Sequence, residues 1–375
     1  MKKNFKIRRQ GNMSEVRKEI YDWLKTFLGF NKEPGEKLNC VRISRNLEGF
    51  PFACQATTEQ KDQISREILK ACRCCLPDFK KDYCILKWQE CNTTERELLI
   101  STCFLEDPTD DTLLVFKRNK NVFIVLNDCD HIRFQWIDPD SVPRLLWQQL
   151  NVFDALLEEN LSYSFDPEKG YNTCSLDTRG TGVKIFSLVH IPAICYKQQL
   201  NQVVAALEAM SLKLEPYAKI EDRVLGHLFF VTNTTSLGCS EETLVDHVEK
   251  TVQTVITKEN QAREALLGEN KNFIKDSVGR SLGVLRSCYE LSFEEAMNLF
   301  SIVVMAMDLG LVNGKKRTAL MKLWYSMRFE RLQQYLKEDF DYLQEKQVRA
   351  DVVRKFFLKN EDFCLIEAKK EAYVS

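Results

Sequence analysis

One stretch of sequence decides the fold class of this chain: LLVFK at residues 113–117, RNKN at 118–121 and VFIVL at 122–126. Both apolar runs consist largely of β-branched, aromatic and aliphatic residues, which favour strands. A short polar break between two such runs is typical of a hairpin, and a hairpin pairs its strands antiparallel. The stretch therefore predicts an antiparallel sheet rather than a strictly alternating, parallel one.

Working outward from the hairpin, the sequence shows further strand and helix patterns. Strands are predicted over residues 84–88, 132–136, 184–190 and 227–232, and helices over 58–74, 145–161 and 196–212. After Ser240 the pattern is helical, with a capping box at Ser292 and Glu295 before an apolar stretch, 296–309, that ends at Gly310. The predicted fold class is α+β, an antiparallel sheet flanked by helices and followed by an all-helical C-terminal domain.

The chain has 375 residues, and this length favours more than one domain. We predict an N-terminal tail and helix over 1–35, an α+β domain over 36–262 and a helical domain over 263–375. The helix of the first part would use the apolar face formed by Val16, Ile20, Trp23, Leu24 and Phe27. Met13 is an alternative start of translation to Met1.

The charge balance and the apolar pattern exclude several classes of protein. There are 53 Lys and Arg against 54 Asp and Glu, and a net charge of −1 argues against a dedicated nucleic-acid binder. No apolar run reaches the roughly 20 residues of a membrane span. The basic residues 1–12 precede no apolar signal region. We therefore predict a cytoplasmic protein that contacts neither nucleic acid nor membrane.

The chain carries 14 cysteines. In the predicted cytoplasmic location we expect them to be reduced thiols. Most have apolar neighbours in the sequence and are interpreted as small core residues. Cys72 and Cys75 have the spacing of a zinc knuckle, but Cys84 and Cys91 make a poor second pair. We predict no metal site and keep a zinc or thiol protein as a remote alternative.

Four segments occur in an order that resembles the signature of the ATP:guanido phosphotransferases. They are VRISRNLEG at 41–49, NDCDHIRFQ at 127–135, GYNTCS at 170–175 with GTGVK at 180–184, and GHLFFVTNTTSLGCSE at 226–241. A catalytic-type domain followed by a helical domain resembles the bacterial protein-arginine kinase branch. The resemblance implies ATP with Mg²⁺ as cofactor, protein substrates or a protein quality-control partner, and a homodimer.

The resemblance also implies which residues form the site. The nucleotide-binding set is Arg42, His131, Arg133, Lys184 and Asn233. The catalytic set on the guanidinium side is Asp128, Cys129, Cys174, Ser175 and Glu221.

Several family residues are replaced at the matching positions. Cys129 stands at the position of the family's base. Ile220, which is next to Glu221, stands at the position of the substrate-binding Glu. Ser175, one residue after Cys174, stands where the family has its reactive Cys. Among the nucleotide-binding positions, Lys184 and Glu215 replace arginines. Cys40 replaces another arginine, and Cys103 the His that stacks on the base.

Losing a positioned proton acceptor costs about 10² to 10⁴ in rate, and losing a donor to the transition-state charge costs a further ~10² to 10³. Two functions stay open: a weak protein-arginine kinase, or a pseudokinase that regulates a partner as a binding module. The replacements favour the second. A purely structural role for Asp130, His131 and Arg133, as a satisfied buried network, is a further alternative. His190 and His227 are interpreted as structural.

Overall fold

The computed structural model describes residues 38–366 except 77–78, 118–121, 139–140, 314–315 and 337–339. The helix expected in the first 35 residues and the hairpin turn at 118–121 lie outside the described residues. The chain divides into two compact units. In the described part, the first holds residues 40–184 and 236–241, and the second holds 38–39, 185–235 and 242–366.

The first unit is built on an antiparallel sheet whose strands follow the order β2-β3-β4-β5-β1. Their bounds are β1 Asn39–Arg45, β2 Tyr83–Lys87, β3 Leu113–Lys117, β4 Val122–Leu126 and β5 Ile132–Asp138. The central register pairs Leu114 with Val125 and Val125 with Arg133. A two-stranded ribbon, β6 (Phe165–Asp166) with β7 (Gly170–Tyr171), completes the unit. The predicted hairpin is confirmed at both strands.

Helices flank this sheet at Thr58–Cys75, Phe79–Asp82, Thr93–Cys103 and Pro143–Glu158, with a 3₁₀ turn at Trp88–Glu90. The Thr58–Cys75 helix begins with a capping box between Thr57 and Gln60, and it buries Ile64 and Ile68 as the apolar periodicity predicts. The Thr93–Cys103 helix and strand β1 were not predicted from the sequence. In β1 the polar side chains of Arg42, Ser44 and Arg45 are buried, so the strand lacks an alternating apolar pattern.

The second unit has strands in the order β8-β12-β9, all antiparallel. Their bounds are β8 Val183–His190, which enters this unit at Ile185, β9 Leu212–Pro216 and β12 Leu228–Asn233; β10 (Lys219–Ile220) and β11 (Arg223–Val224) form a short ribbon. The helix predicted over 196–212 was wrong in extent. Helices occupy Pro192–Tyr196 and Leu200–Glu208, because Ser211 adopts a positive φ of 56° and Leu212 already pairs with Asn233.

The C-terminal region is helical, as the sequence predicts. Its helices are Glu241–Ser287, with a non-helical Asn270 inside it, Phe293–Asp308, Arg317–Tyr325, Phe329–Leu336 and Glu345–Lys359, with a 3₁₀ turn at Tyr342–Gln344. Ser292 accepts a hydrogen bond from the backbone N–H of Glu295 at 3.1 Å, which confirms the Ser292 half of the predicted capping box. The proposed boundary at residues 262–263 falls inside the first of these helices and stays a prediction. In the described part of the chain, no helix is both long and apolar enough to cross a bilayer.

Candidate active site

The loop between β4 and β5 contains the residues that carry the family resemblance. Asn127 adopts a positive φ of 54°, and its backbone N–H bonds the carbonyl of His131. Its side-chain amide donates to the Lys61 carbonyl at 3.0 Å and to Ser65 Oγ at 2.9 Å. The loop is thereby pinned to the Thr58–Cys75 helix, which fixes Asp128 and Cys129 in place.

Two buried arginines lie beside this loop and meet two carboxylates. Arg133 Nη1 is 2.8 Å from Asp128 Oδ2 and 3.8 Å from Glu106 Oε1, and Arg42 Nη1 is 2.6 Å from the same Glu106 oxygen. Asp128 also accepts hydrogen bonds from the backbone N–H groups of Glu106 and Asp107. We call Arg42, Arg133, Asp128 and Glu106 the arginine–carboxylate cluster.

The cluster opens to solvent at one residue. The Glu106 side chain is 42% exposed, whereas the other three side chains are almost completely buried. Burial acts to raise the pKa of Glu106, but Arg42 and Arg133 outweigh it and lower that pKa, so Glu106 is ionised at neutral pH. Burial, together with the Arg42 charge, lowers the pKa of Arg133. The site therefore presents an exposed anion held by two cations.

Cys129 lies next to this cluster and is half-buried. Burial raises the pKa of its thiol far above the usual value, and the negative charges of Asp128 and Glu106 raise it further. The thiol is therefore neutral at physiological pH and is a poor proton acceptor. Cys40, fully buried on β1, has a pKa raised to about 12, chiefly by burial.

Cys174 and Ser175 lie in the loop that follows β7. The backbone N–H of Cys174 bonds Asp130 Oδ1 at 2.8 Å, and the same oxygen accepts from Asn46 Nδ2 at 2.7 Å. Ser175 Oγ accepts from the backbone N–H of Asp177. Burial, followed by the neighbouring Cys54, raises the pKa of Cys174 to about 11. Neither side chain is thus activated as a base or nucleophile.

His131 and Lys184 are both engaged with neighbours in the first unit. His131 Nδ1 accepts from the backbone N–H of Leu47 at 2.9 Å, and Nε2 lies 2.7 Å from the Pro51 carbonyl. These partners assign the imidazole proton to Nε2, so the ring holds the chain between Leu47 and Pro51. The buried Lys184 Nζ lies 2.8 Å from Asp177 Oδ2.

Asn233 and Glu221, the two remaining predicted site residues, belong to the second unit. Asn233 Oδ1 accepts from the backbone N–H of Ile185 at 2.9 Å, which ties β12 to β8. Glu221 lies exposed in the turn between β10 and β11 with a φ of 52°. Glu215 pairs with Lys213 at 2.7 Å. The roles assigned to Asn233 and Glu221 by resemblance stay predictions.

The structure thus brings Arg42, Arg133, Asp128 and Cys129 together, and the roles assigned to them by resemblance stay predictions. Sequence reasoning missed Glu106 and Asp177, the acidic partners of the cationic residues. Asp177 lies between GYNTCS and GTGVK, whereas Glu106 lies 21 residues before NDCDHIRFQ and has no signal in the sequence. In the described part of the chain, no group of three or more His, Cys, Asp or Glu side chains could hold a metal ion.

A second buried ionic group lies in the second unit. Arg263 donates from Nε to Glu259 at 2.7 Å, from Nη1 to Asp308 at 2.8 Å and from Nη2 to the His190 carbonyl at 3.2 Å. Arg317 Nε adds a bond of 2.9 Å to Asp308. These five residues, which we call the Arg263 network, line a cavity of about 340 Å³.

Two family models match this sequence. Residues 80–262 match the model of the ATP:guanido phosphotransferase C-terminal catalytic domain. Residues 271–365 match the model of the protein-arginine kinase McsB C-terminal domain. The two matches are consecutive and together span most of the chain.

Curated relatives agree with both matches. The chain is 26% identical over 319 residues to a protein-arginine kinase of Clostridium acetobutylicum, covering 84% of this chain and 93% of that protein. It is 29% identical over 305 residues to a protein-arginine kinase of Bacillus velezensis, covering 79% of this chain and 82% of that protein.

Solved structures are similar in fold. A lombricine kinase superposes with a TM-score of 0.52 at 19% identity, covering 62% of this chain and 68% of the other. The substrate-free duplicated taurocyamine kinase of Schistosoma mansoni gives a TM-score of 0.52 at 14% identity, covering 89% of this chain and 51% of the other. At these identities the likeness concerns the fold alone.

Proposed function

The chain belongs to the ATP:guanido phosphotransferase family, and from that premise we propose that it is a protein-arginine kinase of strongly reduced activity. It would transfer the γ-phosphoryl group of MgATP to the guanidinium of an arginine side chain. The observation that carries this proposal is the arginine–carboxylate cluster, which places Arg42 and Arg133 side by side with Glu106 between them. Phosphoryl transfer depends chiefly on such cationic positioning.

Each residue has a definite part in this proposal. Arg42 and Arg133 neutralise charge on the phosphates, and Lys184 adds a third cation in the same unit. Mg²⁺ would arrive with ATP and screen the transferred group. A carboxylate must orient the guanidinium of the substrate, and Glu106 is the exposed carboxylate of the cluster.

The reduced activity follows from Cys129, which stands where the family has a base. Its thiol is neutral because burial and the adjacent carboxylates raise its pKa. A missing proton acceptor lowers the rate by about 10² to 10⁴. We therefore expect the rate of arginine phosphorylation to be far below that of a typical kinase.

The proposal is tested first by calorimetric titration of the full chain with MgATP. Saturable binding that is weakened at least tenfold in Arg133→Gln supports the phosphate site. An assay for acid-labile phosphoarginine on a protein substrate, followed by mass spectrometry, then measures transfer. Binding with slow transfer is the expected result, and the absence of binding at millimolar MgATP would overturn the proposal.

A pseudokinase that acts as a regulatory or adaptor protein is the second candidate. It is favoured by the ion pairs that already engage both cluster arginines, because paired charges attract phosphate less. The partner would belong to protein quality control, the pathway of this branch. Weak or absent binding of MgATP, with no phosphoarginine formed by wild type or by Glu215→Arg, is the result that would select this function.

We also propose that the protein acts in the cytoplasm as a homodimer formed through its helical C-terminal domain. This follows from its kinship with the bacterial protein-arginine kinases. Light scattering coupled to gel filtration measures the mass, and a monomer at micromolar concentration would contradict the dimer.

A further inference from the structure

Cys54 and Cys174 lie 120 residues apart in sequence, yet their Sγ atoms are 3.9 Å from each other. Both side chains are exposed. We propose that these two cysteines form a reversible disulfide, which makes the pair a modification site. The proposal does not require the protein to transfer phosphoryl groups.

The two thiols are held together by neighbouring anchor residues. The Cys174 backbone N–H bonds Asp130 Oδ1 at 2.8 Å. His131 Nε2 bonds the carbonyl of Pro51, and the turn that follows is closed by Gln55 and Ala56 on the Phe52 carbonyl. Because Asp130 and His131 are adjacent in sequence, both loops are fixed to one point. The contact between the sulfurs is thus set by the fold and not by two free loops.

Distance and access favour this pair over the other cysteines. A disulfide needs a sulfur separation of about 2.0 Å, so the present contact must close by roughly 2 Å, within reach of small side-chain rotations. In the described part of the chain, Cys54, Cys74, Cys174 and Cys364 are the exposed cysteines, and the first and third of these are in contact. Cys40, Cys72, Cys84, Cys91 and Cys103 are buried, away from an oxidant in solution.

A peroxide, such as hydrogen peroxide, serves as the oxidant. The Cys54 thiolate attacks one peroxide oxygen, the O–O bond breaks, and the departing hydroxide takes a proton to give water. The Cys174 sulfur then attacks the Cys54 sulfenic acid, the S–O bond breaks, and the thiol proton leaves with the hydroxide as a second water. Two thiols lose two electrons in total and one peroxide is reduced.

The steps balance equally well if the two cysteines exchange roles. Burial and the neighbouring Cys54 raise the pKa of the Cys174 thiol to about 11. The disulfide would join the turn at residues 52–56 to the loop at 172–178. That loop lies near enough to the site for Cys174 to influence the Cys129 thiol electrostatically.

Peptide mapping tests the proposal directly. The reduced full-length protein is treated with one equivalent of hydrogen peroxide, quenched with N-ethylmaleimide and digested with trypsin. Cys54 lies in the peptide 46–61 and Cys174 in the peptide 170–179, each with a single cysteine. We expect the cross-linked pair of these peptides to account for most of the lost thiols and to disappear after dithiothreitol.

Three variants serve as controls, each checked for folding by circular dichroism. Cys54→Ser and Cys174→Ser should each abolish the linked peptide and slow thiol loss at least fivefold. Cys364→Ser, which removes an unrelated exposed thiol, should behave as wild type. Linkage of either cysteine to another partner, or Cys174 recovered mainly as unlinked sulfinic acid, would overturn the proposal. The wild-type peptide map decides the question even if a serine variant fails to fold.

Discussion

The arginine–carboxylate cluster of the first unit and the Arg263 network of the second contain the same ingredients, two arginines and two carboxylates. In the Arg263 network, Nε, Nη1 and Nη2 of Arg263 each donate a hydrogen bond. Glu259 also accepts from the backbone N–H groups of Ala193 and Ile194. Its charges are therefore both paired and hydrogen-bonded, the state in which buried charges are tolerated.

The cluster of the first unit is different in two respects. Arg133 Nε is buried without a hydrogen-bond partner in the described part of the chain, and Glu106 is 42% exposed. A buried donor left unsatisfied costs free energy, typically about 1–3 kcal/mol. The comparison teaches that an unused buried donor beside an exposed anion, and not the number of charges, separates the proposed binding site from the structural network.

The sharpest test of this difference is Arg263→Met. Removing this arginine leaves the buried carboxylates of Glu259 and Asp308 with fewer partners, so the free energy of unfolding should fall by about 3–5 kcal/mol. Urea unfolding followed by circular dichroism measures it. Arg280→Met, which breaks an exposed helical ion pair with Asp276, should change stability by less than about 0.5 kcal/mol. Equal losses in the two variants would refute a structural role for the network.

Restoring a base in the first unit is expected to have the next largest effect. Cys129→Glu places a carboxylate at the position of the missing proton acceptor and should raise the rate of phosphoarginine formation about 10²-fold. Cys129→Gln is the matched control, because it has the same size without a basic oxygen. If both variants were as slow as wild type, Cys129 would not occupy the position of the base.

The pH dependence of stability tests the Arg263 network and its surroundings. Burial, together with the Arg263 charge, lowers the pKa of His190 well below its usual value, and burial lowers that of His227 to about 4. The unfolded chain therefore binds protons below pH 6.5 that the folded chain does not. Stability is full above pH 6.5 and should fall by about 1–2 kcal/mol for each histidine between pH 6.5 and 5.

Urea midpoints at pH 7.5, 6 and 5 measure this loss. His227→Asn should flatten the dependence by roughly the contribution of one histidine. A midpoint that does not move between pH 7.5 and 5 would show that these histidines are protonated as easily in the folded protein as in the unfolded chain.

The smallest expected effect is that of Glu106→Gln. Removing the anion between Arg42 and Arg133 should raise the affinity for MgATP about 3- to 10-fold, because one of the negative charges that offset the two cations is then gone. Calorimetric titration measures it. Asp110→Asn, a change of an exposed acid in the same loop region, is the control and should leave affinity unchanged. An unchanged affinity in Glu106→Gln would show that Glu106 does not compete with phosphate.

Much of the fold could be predicted from local patterns, and the failures have physical causes. The hairpin strands were placed to the residue, because burial on both faces gives continuous apolar runs. Strand β1 was missed because buried arginines lie on both of its faces, Arg42 paired with Glu106 and Arg45 with Asp154, so the strand carries no apolar alternation. The helix over 196–212 was predicted too long because an apolar Leu212 fits a helix and a strand equally well. Only the turn at Ser211 separates the helix from strand β9.

The candidate site could be predicted only in part. The proximity of Arg42, Asp128 and Arg133 followed from the resemblance, since the matching segments converge in the family fold. Glu106 could not be found, because its approach to both arginines depends on the turn that follows the Thr93–Cys103 helix, where Phe104 has a φ of 50°. Ion pairs across such turns are determined by tertiary structure and leave no periodic trace in the sequence.

The hydrogen bonds that Asp128 receives from Glu106 and Asp107 come from backbone N–H groups. Every amino acid except proline supplies that donor, so the loop keeps its position whichever side chains occupy 106 and 107. Natural variation at position 106 can therefore change the charge facing the arginines without dismantling the fold. In evolutionary terms, a lineage could lose or regain affinity for phosphate here by single substitutions that leave the fold intact.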